Sequence, residues 1–244
     1  KIKQVTKKKM ASGRWFASII EETNKIEKYA GVKGASSLLP INKIVGIDLG
    51  LTDIVYDSNG NKITNPRYLK KREKKIAYLQ SRMSLKKNKS NHRNRWRTKL
   101  ARQYERLVDS RDDFLHKLSR YYVDNYDAIA MENMVINNLV HSKLGKNILD
   151  SGWGRLRQFI IYKAENAGKL YIPVDYKGTT QRCSQCGTIV NKKLWDREHK
   201  CNCGFIAPRD YNSALEIKRL TLIEIGQELP ESTPMEMEAL PMVT

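Results

Sequence analysis

Alternating apolar and polar positions predict strands near the start of the chain. Residues 14–22, RWFASIIEE, follow this period of two, and the preceding KQVTKKK can pair with them across the turn MASG. Residues 43–64 contain three further short segments of this kind, and Asn59-Gly60 is a strong hairpin turn signal between the last two. We therefore expect a small β element and then a strand meander.

The apolar spacing becomes helical after this meander. One predicted helical face collects Leu69, Ile76, Leu79 and Met83. A polar break at 88–92 interrupts the pattern, and helical spacing resumes from Trp96 to Leu118. Two long antiparallel helices over 67–124 are the expectation, with Trp96, Tyr78 and Tyr104 in their core.

The second half of the chain alternates between strand and helix patterns. A buried strand at 126–132 precedes a loop-like stretch at 133–152, a helix at 153–168 closed by a glycine, and a strand at 169–175. A cysteine segment follows, and then a helix from about 210 to 220. Meander, strand, helix, strand and final helix are the layout of a ribonuclease-H-like fold. The predicted class is α/β: a mixed sheet with an inserted long helical hairpin and an inserted zinc ribbon, preceded by a small β remnant.

The charge of the chain changes the range of partners. Its 244 residues carry a formal net charge of +19, and the pI is near 9.8. Such an excess attracts polyanions through counterion release, which makes nucleic acid the leading partner and a membrane surface the alternative. No apolar run approaches the roughly 20 residues of a membrane span, and no apolar stretch typical of a secretory signal follows the basic start. We expect a reducing, cytoplasmic compartment.

Much of this charge falls in the predicted hairpin. Between Asn65 and Arg106 there are sixteen Lys or Arg and two Glu, a local excess of fourteen positive charges. A solvated helical face is the ordinary interpretation, but a nearly single-signed run repels itself without a counter-anion. Nine residues are therefore the candidates for contact with a nucleic-acid backbone: Arg67, Lys70, Lys71, Lys74, Lys86, Lys87, Arg93, Arg95 and Arg97.

Three acids interrupt or border predicted apolar segments. Asp48 lies inside a strand, Glu132 ends a strand, and Asp210 opens the last helix. Alone, such an acid is most often at the surface or, like Asp210, favourable at a helix N-terminus. In the ribonuclease-H-like layout, a central strand, a neighbouring strand and the last helix each carry one acid, and the three converge. Carboxylates are preferred ligands of Mg²⁺, and two ions about 3.5–4 Å apart can support phosphodiester hydrolysis. The hypothesis is that these acids hold two catalytic Mg²⁺ ions, with Asp48 bridging both.

Four cysteines lie within 21 residues: Cys183, Cys186, Cys201 and Cys203. Their clustering in a basic chain without a secretory signal favours a metal over disulfides, and four thiolates suit one tetrahedral Zn²⁺. Four ordinary buried cysteines, or His199 in place of one thiolate, are the alternatives. A closed site of this kind is structural. We expect it to fold a small ribbon beside the last helix and to hold Asp210 in place.

The order of several motifs resembles a known family. GIDLG, NPRYLKK, FLHKLS, AMEN, GWGRLRQFIIYKAE, CSQCG and RDYNSA follow one another within residues 1–219. They look like the C-terminal nuclease half of TnpB, the OrfB-type protein of bacterial and archaeal insertion sequences, which is similar to the type V CRISPR effectors. Two stretches depart from the family pattern. The family's His-Asp-Arg-Asp is replaced by APRD, which ends at Asp210, and a single residue separates Cys201 from Cys203.

The resemblance implies an RNA-guided DNA endonuclease with a RuvC domain, whose partners would be a guide RNA and target DNA. It implies that Asp48, Glu132 and Asp210 are the RuvC acids, that cleavage leaves a 5′-phosphate, that the cysteines form a zinc ribbon, and that 134–152 is a lid. It also implies a prokaryotic, nucleoid-associated protein acting as a monomer or homodimer. Since the family's helical recognition region is not matched, we expect a fragment with cleavage chemistry and incomplete targeting.

The resemblance also suggests domain boundaries. In chain order we expect the closing strands of a wedge β-barrel at 1–26, a linker at 27–42, a RuvC-like core at 43–175 with the basic hairpin 67–124, a zinc ribbon at 176–207, a final RuvC helix at 208–220 and an acidic, disordered tail at 221–244.

Two other functions fit parts of the sequence. A nucleic-acid-binding relic or regulator without catalysis would explain the charge and the missing recognition region, but it gives no reason for three acids. The motif GIDLG also resembles the first phosphate loop of actin-like sugar kinases. That interpretation needs further glycine-rich loops downstream, which the sequence lacks, and it explains neither the charge nor the cysteines.

Overall fold

The computed structural model describes most of the chain, namely residues 1–22, 41–175, 177–193 and 195–226. Most of the linker expected at 27–42 and of the tail expected at 221–244 therefore lies outside the described residues. The chain divides into two compact units, which are treated separately: Lys1–Lys28 with Arg67–Lys117, and Tyr29–Pro66 with Leu118–Thr244.

The first unit contains a β-hairpin and a helical hairpin. Strand β1 (Ile2–Lys9) pairs antiparallel with β2 (Trp15–Glu21), and every residue of both strands is exposed. Helix α1 (Tyr68–Ser84) and the first part of α2 (Asn91–Asn125) follow. Their shared core contains the helical-face residues predicted from the sequence and residues of α2: Ile76, Leu79, Leu100 and Leu107, with Leu69, Met83 and Trp96 partly buried against them.

Two aromatic residues of this hairpin lie outside the core, contrary to expectation. The side chain of Tyr78 is 57% exposed and that of Tyr104 is 39% exposed, whereas Trp96 is partly buried. The Tyr78 ring meets the Trp96 ring edge-on, and the Tyr104 hydroxyl accepts a hydrogen bond from Gln80. Helical spacing alone did not separate these positions, because both border the buried stripe.

The second unit is built on a five-stranded mixed sheet. In spatial order its strands are β5 (Lys62–Thr64), β4 (Asp53–Asp57), β3 (Ile44–Leu49), β6 (Ala128–Glu132) and β7 (Leu170–Val174). β3 pairs antiparallel with β4 and parallel with β6, which pairs parallel with β7. The predicted mixed sheet with helices is confirmed, and β3 occupies its centre.

Helix α6 (Arg209–Glu224) covers one face of this sheet. Its residues Ile217 and Leu222 join the sheet residues of one core cluster: Ile44, Ala128, Ala130, Ile172 and Val174. A Cβ added to Gly46 would lie 2.3 Å from the carbonyl oxygen of Ala214, so only glycine allows the helix to approach β3 this closely. The helix ends four residues later than the predicted 220, because Thr221 and Leu222 are still buried.

The stretch at 133–152 is more ordered than predicted. It contains α3 (Ile136–Val140) and α4 (Gly145–Ser151) in place of a continuous loop. Ile148 and Ser151 are buried, so this segment packs on the unit although its sequence is largely polar. Helix α5 (Trp153–Asn166) follows directly, and the Trp153 ring nitrogen donates to the carbonyl of Gly50 at 3.2 Å, just beyond the end of β3.

The cysteine segment forms a small ribbon. Its two short strands, β8 (Glu198–Lys200) and β9 (Ile206–Pro208), pair antiparallel, and β9 leads without a break into α6. An isolated bridge joins Arg182 to Ile189, which lie on either side of the first cysteine pair in the chain. The chain therefore passes from the ribbon directly to the helix that covers the central strand.

Candidate active site

Asp48 and Glu132 lie side by side on the two central strands. The parallel register of β3 and β6 pairs Ile47 with Met131, so the two acids follow at neighbouring positions. Strand residues alternate between faces, so Asp48 shares the face of Gly46, which α6 covers. Both acids are buried, at 8% exposure each. The sheet therefore presents two carboxylates together beneath the start of a helix.

Asp210 reaches the same place from α6. It lies one helical turn before Ala214, whose carbonyl meets the backbone of β3 at Gly46. Its side chain is 39% exposed, and one carboxylate oxygen lies 3.2 Å from Nε of Arg209. The negative charges of Glu132 and Asp210 both act on Asp48, so all three predicted acids belong to one electrostatic cluster.

The protonation of these acids reflects burial and mutual repulsion. Burial is the largest cause that raises the pKa of Asp48 well above its usual value, and the charges of Glu132 and then Asp210 raise it further. Burial also raises the pKa of Glu132, while a hydrogen bond from Thr179 opposes the increase. Clustered carboxylates of this kind are destabilised as free anions, and a hard divalent cation would relieve that cost. The donor set therefore fits Mg²⁺.

Several neighbours of the acids were not predicted from the sequence. The buried hydroxyl of Thr179 donates to Oε1 of Glu132, and Arg209 pairs with Asp210. Tyr56, which pairs with Asp48 across β3 and β4, has its ring 5.5 Å from that of Tyr211. Arg209 and Tyr211 flank Asp210 in the chain, so the sequence itself could have indicated them as neighbours of this acid. Thr179 and Tyr56 carry no local signal, since only tertiary structure brings them to the acids.

The four cysteines form a much tighter group. Within the described ranges, they are the group whose possible metal-ligand atoms all lie within 4.8 Å of one another. The sulfurs of Cys183 and Cys203 are 3.8 Å apart, and those of Cys186 and Cys201 are 3.5 Å apart. A zinc–sulfur distance of about 2.3 Å implies tetrahedral edges of about 3.8 Å. The arrangement therefore fits one tetrahedral ion, despite the single residue between Cys201 and Cys203.

Tight backbone turns present these sulfurs. The amide of Gly187 donates to the carbonyl of Cys183, and the amide of Gly204 donates to that of Cys201. Both glycines have positive φ, 77° and 94°, which other residues rarely adopt. Hydrogen bonds from Thr188 are the largest cause that lowers the pKa of Cys186 to about 6, which favours the thiolate that a metal requires.

His199 is not a member of this group. Its ring is buried, its Nδ1 contacts Nζ of Lys192, and its face lies near the ring of Phe205. The alternative in which His199 replaces a thiolate is therefore wrong. The histidine belongs to the small interior of the ribbon.

Asn212 connects the ribbon to the helix that carries Asp210. Its side-chain oxygen accepts from the amide of Ser184 at 3.0 Å, and its side-chain nitrogen donates to the carbonyl of Arg182 at 2.8 Å. One turn later, the buried carboxylate of Glu216 pairs with Arg219 and Arg182. These contacts fix the cysteine turns against α6. Both residues lie in the last motif and helix of the sequence, but their partners could not be foreseen.

The predicted nucleic-acid-binding residues belong to the first unit, and most are exposed. Arg93 differs, because its guanidinium donates to the carbonyls of Met83 and Lys86 and so closes the end of α1. Lys86 is partly buried, and the remaining candidates are exposed along the helices: Arg67, Lys70, Lys71, Lys74, Lys87, Arg95 and Arg97. Of the two glutamates in this stretch, Glu105 already accepts from Ser12 and pairs with Arg14. The excess of positive charge therefore remains largely uncompensated within the hairpin.

Comparison with protein families gives this arrangement its class. A family model described as "Probable transposase", OrfB_IS605, matches residues 22–143. A second model, described as the TNB domain of Cas12f1-like proteins, matches residues 153–217. The chain belongs to the OrfB_IS605 family, the TnpB-type proteins related to type V CRISPR effectors. The two matches together include all three acids and all four cysteines.

Curated relatives share this organisation over most of the chain. A protein named "Putative RNA-guided DNA endonuclease" from Streptomyces pristinaespiralis is 35% identical over 87% of this chain and 51% of its own length. InsQ of Escherichia coli, which has the same description, is 26% identical over 95% of this chain and 60% of its own length. The chain thus spans about half the length of the curated relatives it matches.

Solved structures support the fold. A Cas12f1–sgRNA–target DNA complex matches with a TM-score of 0.52 and 20% identity, covering 75% of this chain and 51% of that one. A CRISPR-Cas12f ternary complex matches with a TM-score of 0.55 and 18% identity, covering 84% and 42%. None of the helices in the described residues is long and apolar enough to cross a membrane.

Proposed function

We propose that this chain is the nuclease part of an RNA-guided DNA endonuclease of an insertion sequence, with a ribonuclease-H-like (RuvC) core. The observation that supports the proposal is the adjacent placing of Asp48 and Glu132 on paired central strands, under the helix that carries Asp210, whose charge raises the pKa of Asp48. The strand order β5-β4-β3-β6-β7, with one antiparallel and one parallel side, supports the assignment of the core. The names of the relatives support the activity.

The mechanism assigns each acid a role according to its place. Asp48 and Glu132 are fixed by the sheet, whereas Asp210 is more exposed and borders solvent. These carboxylates would hold the Mg²⁺ ions, which would stabilise charge on the phosphodiester and activate water. Asp48, at the centre of the cluster, is the acid best placed to be shared. Arg209, whose guanidinium bonds to Asp210 and to the carbonyl of Asp196, would hold the carboxylate of Asp210 in place, and hydrolysis would leave a 5′-phosphate.

The two other groups of residues would serve binding and support. The exposed cations of α1 and α2 would contact the backbones of the guide RNA and the target DNA, since their charge is largely uncompensated within the hairpin. The four cysteines would hold one structural Zn²⁺ and so keep the ribbon, and through Asn212 the helix of Asp210, in position. We place the protein in the prokaryotic cytoplasm, at the nucleoid.

A cleavage assay tests this function. The chain, purified with the RNA that accompanies it, should cut DNA in Mg²⁺, with incomplete targeting because the family's recognition region is not matched, and should lose cleavage in EDTA. Asp48→Asn should slow cleavage by roughly a thousandfold or more, because several kcal/mol of transition-state stabilisation depend on the metal site. Asp113→Asn is the matched control, since that acid is exposed and pairs with Lys117 at the next helical turn.

Three outcomes separate the alternatives. Cleavage that persists in EDTA contradicts the metal mechanism. Intact DNA in the presence of Mg²⁺, together with salt-dependent binding, supports the silent nucleic-acid-binding protein. Loss of cleavage in Asp48→Asn with binding unchanged supports the nuclease.

A further inference from the structure

The side chain of Thr179 makes a hydrogen bond to one of the three acids, Glu132. Thr179 is 1% exposed, and its hydroxyl donates to Oε1 of Glu132, 47 residues earlier in the chain. Glu132 is the last residue of β6, and the sheet fixes its backbone through the pairing with Val174, whereas its side chain is one methylene longer than that of an aspartate and needs a further contact to fix the carboxylate. With Oε1 bound to Thr179, Oε2 is the oxygen that would face a cation.

The turn that carries Thr179 is itself firmly held. β7 ends at Val174, which pairs with Glu132, and the chain then folds back over this strand end. The amides of Gln181 and Arg182 both donate to the carbonyl of Gly178, whose φ is 81°. The carbonyl of Thr180 accepts from Nζ of Lys192 in the ribbon at 2.7 Å. The Thr179 hydroxyl is therefore presented from a fixed backbone.

A neutral donor is well suited to this position. Each acid of the cluster has a partner: the amide of Leu49 for Asp48, the guanidinium of Arg209 for Asp210, and the hydroxyl of Thr179 for Glu132. A cationic partner at Glu132 would compete with a bound divalent ion for the same charge. A hydroxyl fixes one oxygen while leaving the carboxylate its full charge. Hydrogen-bonded partners of this kind commonly orient metal-binding carboxylates.

We propose that Thr179 is a positioning residue, whose hydroxyl fixes the carboxylate of Glu132 in the orientation that binds the divalent cation. This inference rests on the proposed function, because it assigns Glu132 to the metal site. It adds a residue that lies before the first cysteine, outside the three acids. Loss of the hydroxyl should weaken the cation site by about 10-fold to 100-fold, the usual effect of removing such a partner.

Mn²⁺ binding tests this role without a cleavage assay. The binding is measured by the decrease of the EPR signal of free Mn²⁺ as the ion binds to the protein. The zinc-loaded chain, freed of nucleic acid with high salt, is compared with Thr179→Val and Thr179→Ser. The valine removes the hydroxyl at nearly constant volume and should weaken Mn²⁺ binding by about 10-fold to 100-fold. The serine keeps the hydroxyl and should recover most of the affinity. Thr180→Val, whose side chain is exposed, is the matched control and should bind like the parent chain.

The outcomes distinguish this role from packing and from the proposed function. If Thr179→Val binds Mn²⁺ within about twofold of the parent chain, the proposal is overturned. An equal loss of Mn²⁺ affinity in the serine and valine variants also overturns it, because that result would indicate a role for the methyl group. Asp48→Asn is measured in parallel. If it leaves Mn²⁺ binding unchanged, the cation site itself is wrong; if it weakens binding while Thr179→Val does not, only the positioning role is wrong. Zinc content and the melting temperature of each variant show whether the fold is retained. If Thr179→Val does not fold while Thr179→Ser folds but binds Mn²⁺ weakly, the result also contradicts the proposal.

Discussion

The two groups of candidate metal ligands in the second unit are built in opposite ways. The four cysteines come from one short segment, and local turns at Gly187 and Gly204 bring their sulfurs together. The three acids come from two strands and a helix spread over most of the chain, and they influence one another only because β3, β6 and α6 pack together. The first cluster is a property of a segment, whereas the second is a property of the whole unit.

This difference sets what a metal would do at each place. The ribbon has little interior beyond His199, Ala207 and two cysteines, so it is too small to be stable through burial alone. Its metal would supply most of its folding free energy. The acids lie on a sheet and on a helix that share an extensive core, so we expect this part of the unit to fold without an ion. We therefore expect Zn²⁺ to be structural and to dissociate slowly, and we expect Mg²⁺ to exchange with the solvent.

The largest expected effect follows from removing one ligand of the ribbon. Cys186→Ser should abolish zinc binding and unfold residues 183–208, because the binding free energy of about 10 kcal/mol or more is also the folding free energy of the segment. Zinc content and hydrogen exchange, read segment by segment, measure this. The strands β3, β6 and β7 should keep their protection. Ser184→Ala is the matched control, since its side chain lies between the cysteines and only its amide bonds to Asn212.

A retained equivalent of zinc in Cys186→Ser would contradict the four-sulfur site. Loss of protection across the central strands would contradict the independence of the two clusters, and would mean that the sheet also depends on the ribbon.

A smaller effect is expected at the connection between the two clusters. Asn212→Ala removes both hydrogen bonds that join α6 to the first cysteine turn and leaves an amide and a carbonyl without partners. The free energy of unfolding in urea should fall by about 2 kcal/mol, and cleavage should slow by about tenfold because Asp210 is less well placed. Zinc content should stay at one equivalent. Asn191→Ala, at an exposed position of the ribbon, is the control.

Loss of zinc in Asn212→Ala would show that the ribbon needs the helix in order to close. Unchanged cleavage with the expected loss of stability would show that α6 places Asp210 without help from the ribbon.

The sequence predicted the parts of this unit that depend on local pattern. The alternating strand around Asp48, the short apolar strand ending in Glu132 and the helix after Asp210 were recognised from local sequence, and the cysteine spacing indicated a metal. Their pairing is a different matter: that Asp48 and Glu132 are neighbours follows from the parallel register of β3 and β6, which no local pattern contains. Here the resemblance to a family and the order of the elements supplied what periodicity could not.

The errors have physical causes of the same kind. Helices α3 and α4 were missed because the stretch around Ile148 is mostly polar, and its burial comes from packing on the unit. Tyr78 was placed in the core because helical spacing does not distinguish the centre of a buried stripe from its border. Thr179 was not singled out because a threonine in a turn has no special chemistry until the fold brings it to Glu132.

The smallest effect is expected far from both clusters. Asp127 immediately precedes β6, at the end of that strand opposite to Glu132, and accepts from Nζ of Lys169 at 2.6 Å and from the amides of Asn42 and Lys43. The bond from Lys169 is the largest cause that lowers the pKa of Asp127. A lowered pKa in the folded state stabilises the protein above the ordinary pKa of about 4, and this contribution disappears as the pH falls through the folded value.

Asp127→Asn should therefore cost about 1 kcal/mol at pH 7, and the two unfolding free energies should converge as the pH falls through the lowered pKa of Asp127. Urea unfolding at a series of pH values measures the difference, with Asp113→Asn as an exposed control. A difference that stays constant with pH would mean that shape, and not charge, accounts for the loss. Zinc content and Mn²⁺ binding should not change in Asp127→Asn, because neither the cysteine turns nor the paired ends of β3 and β6 depend on this ion pair. A change in Mn²⁺ binding would show that the opposite end of the sheet also controls the acids.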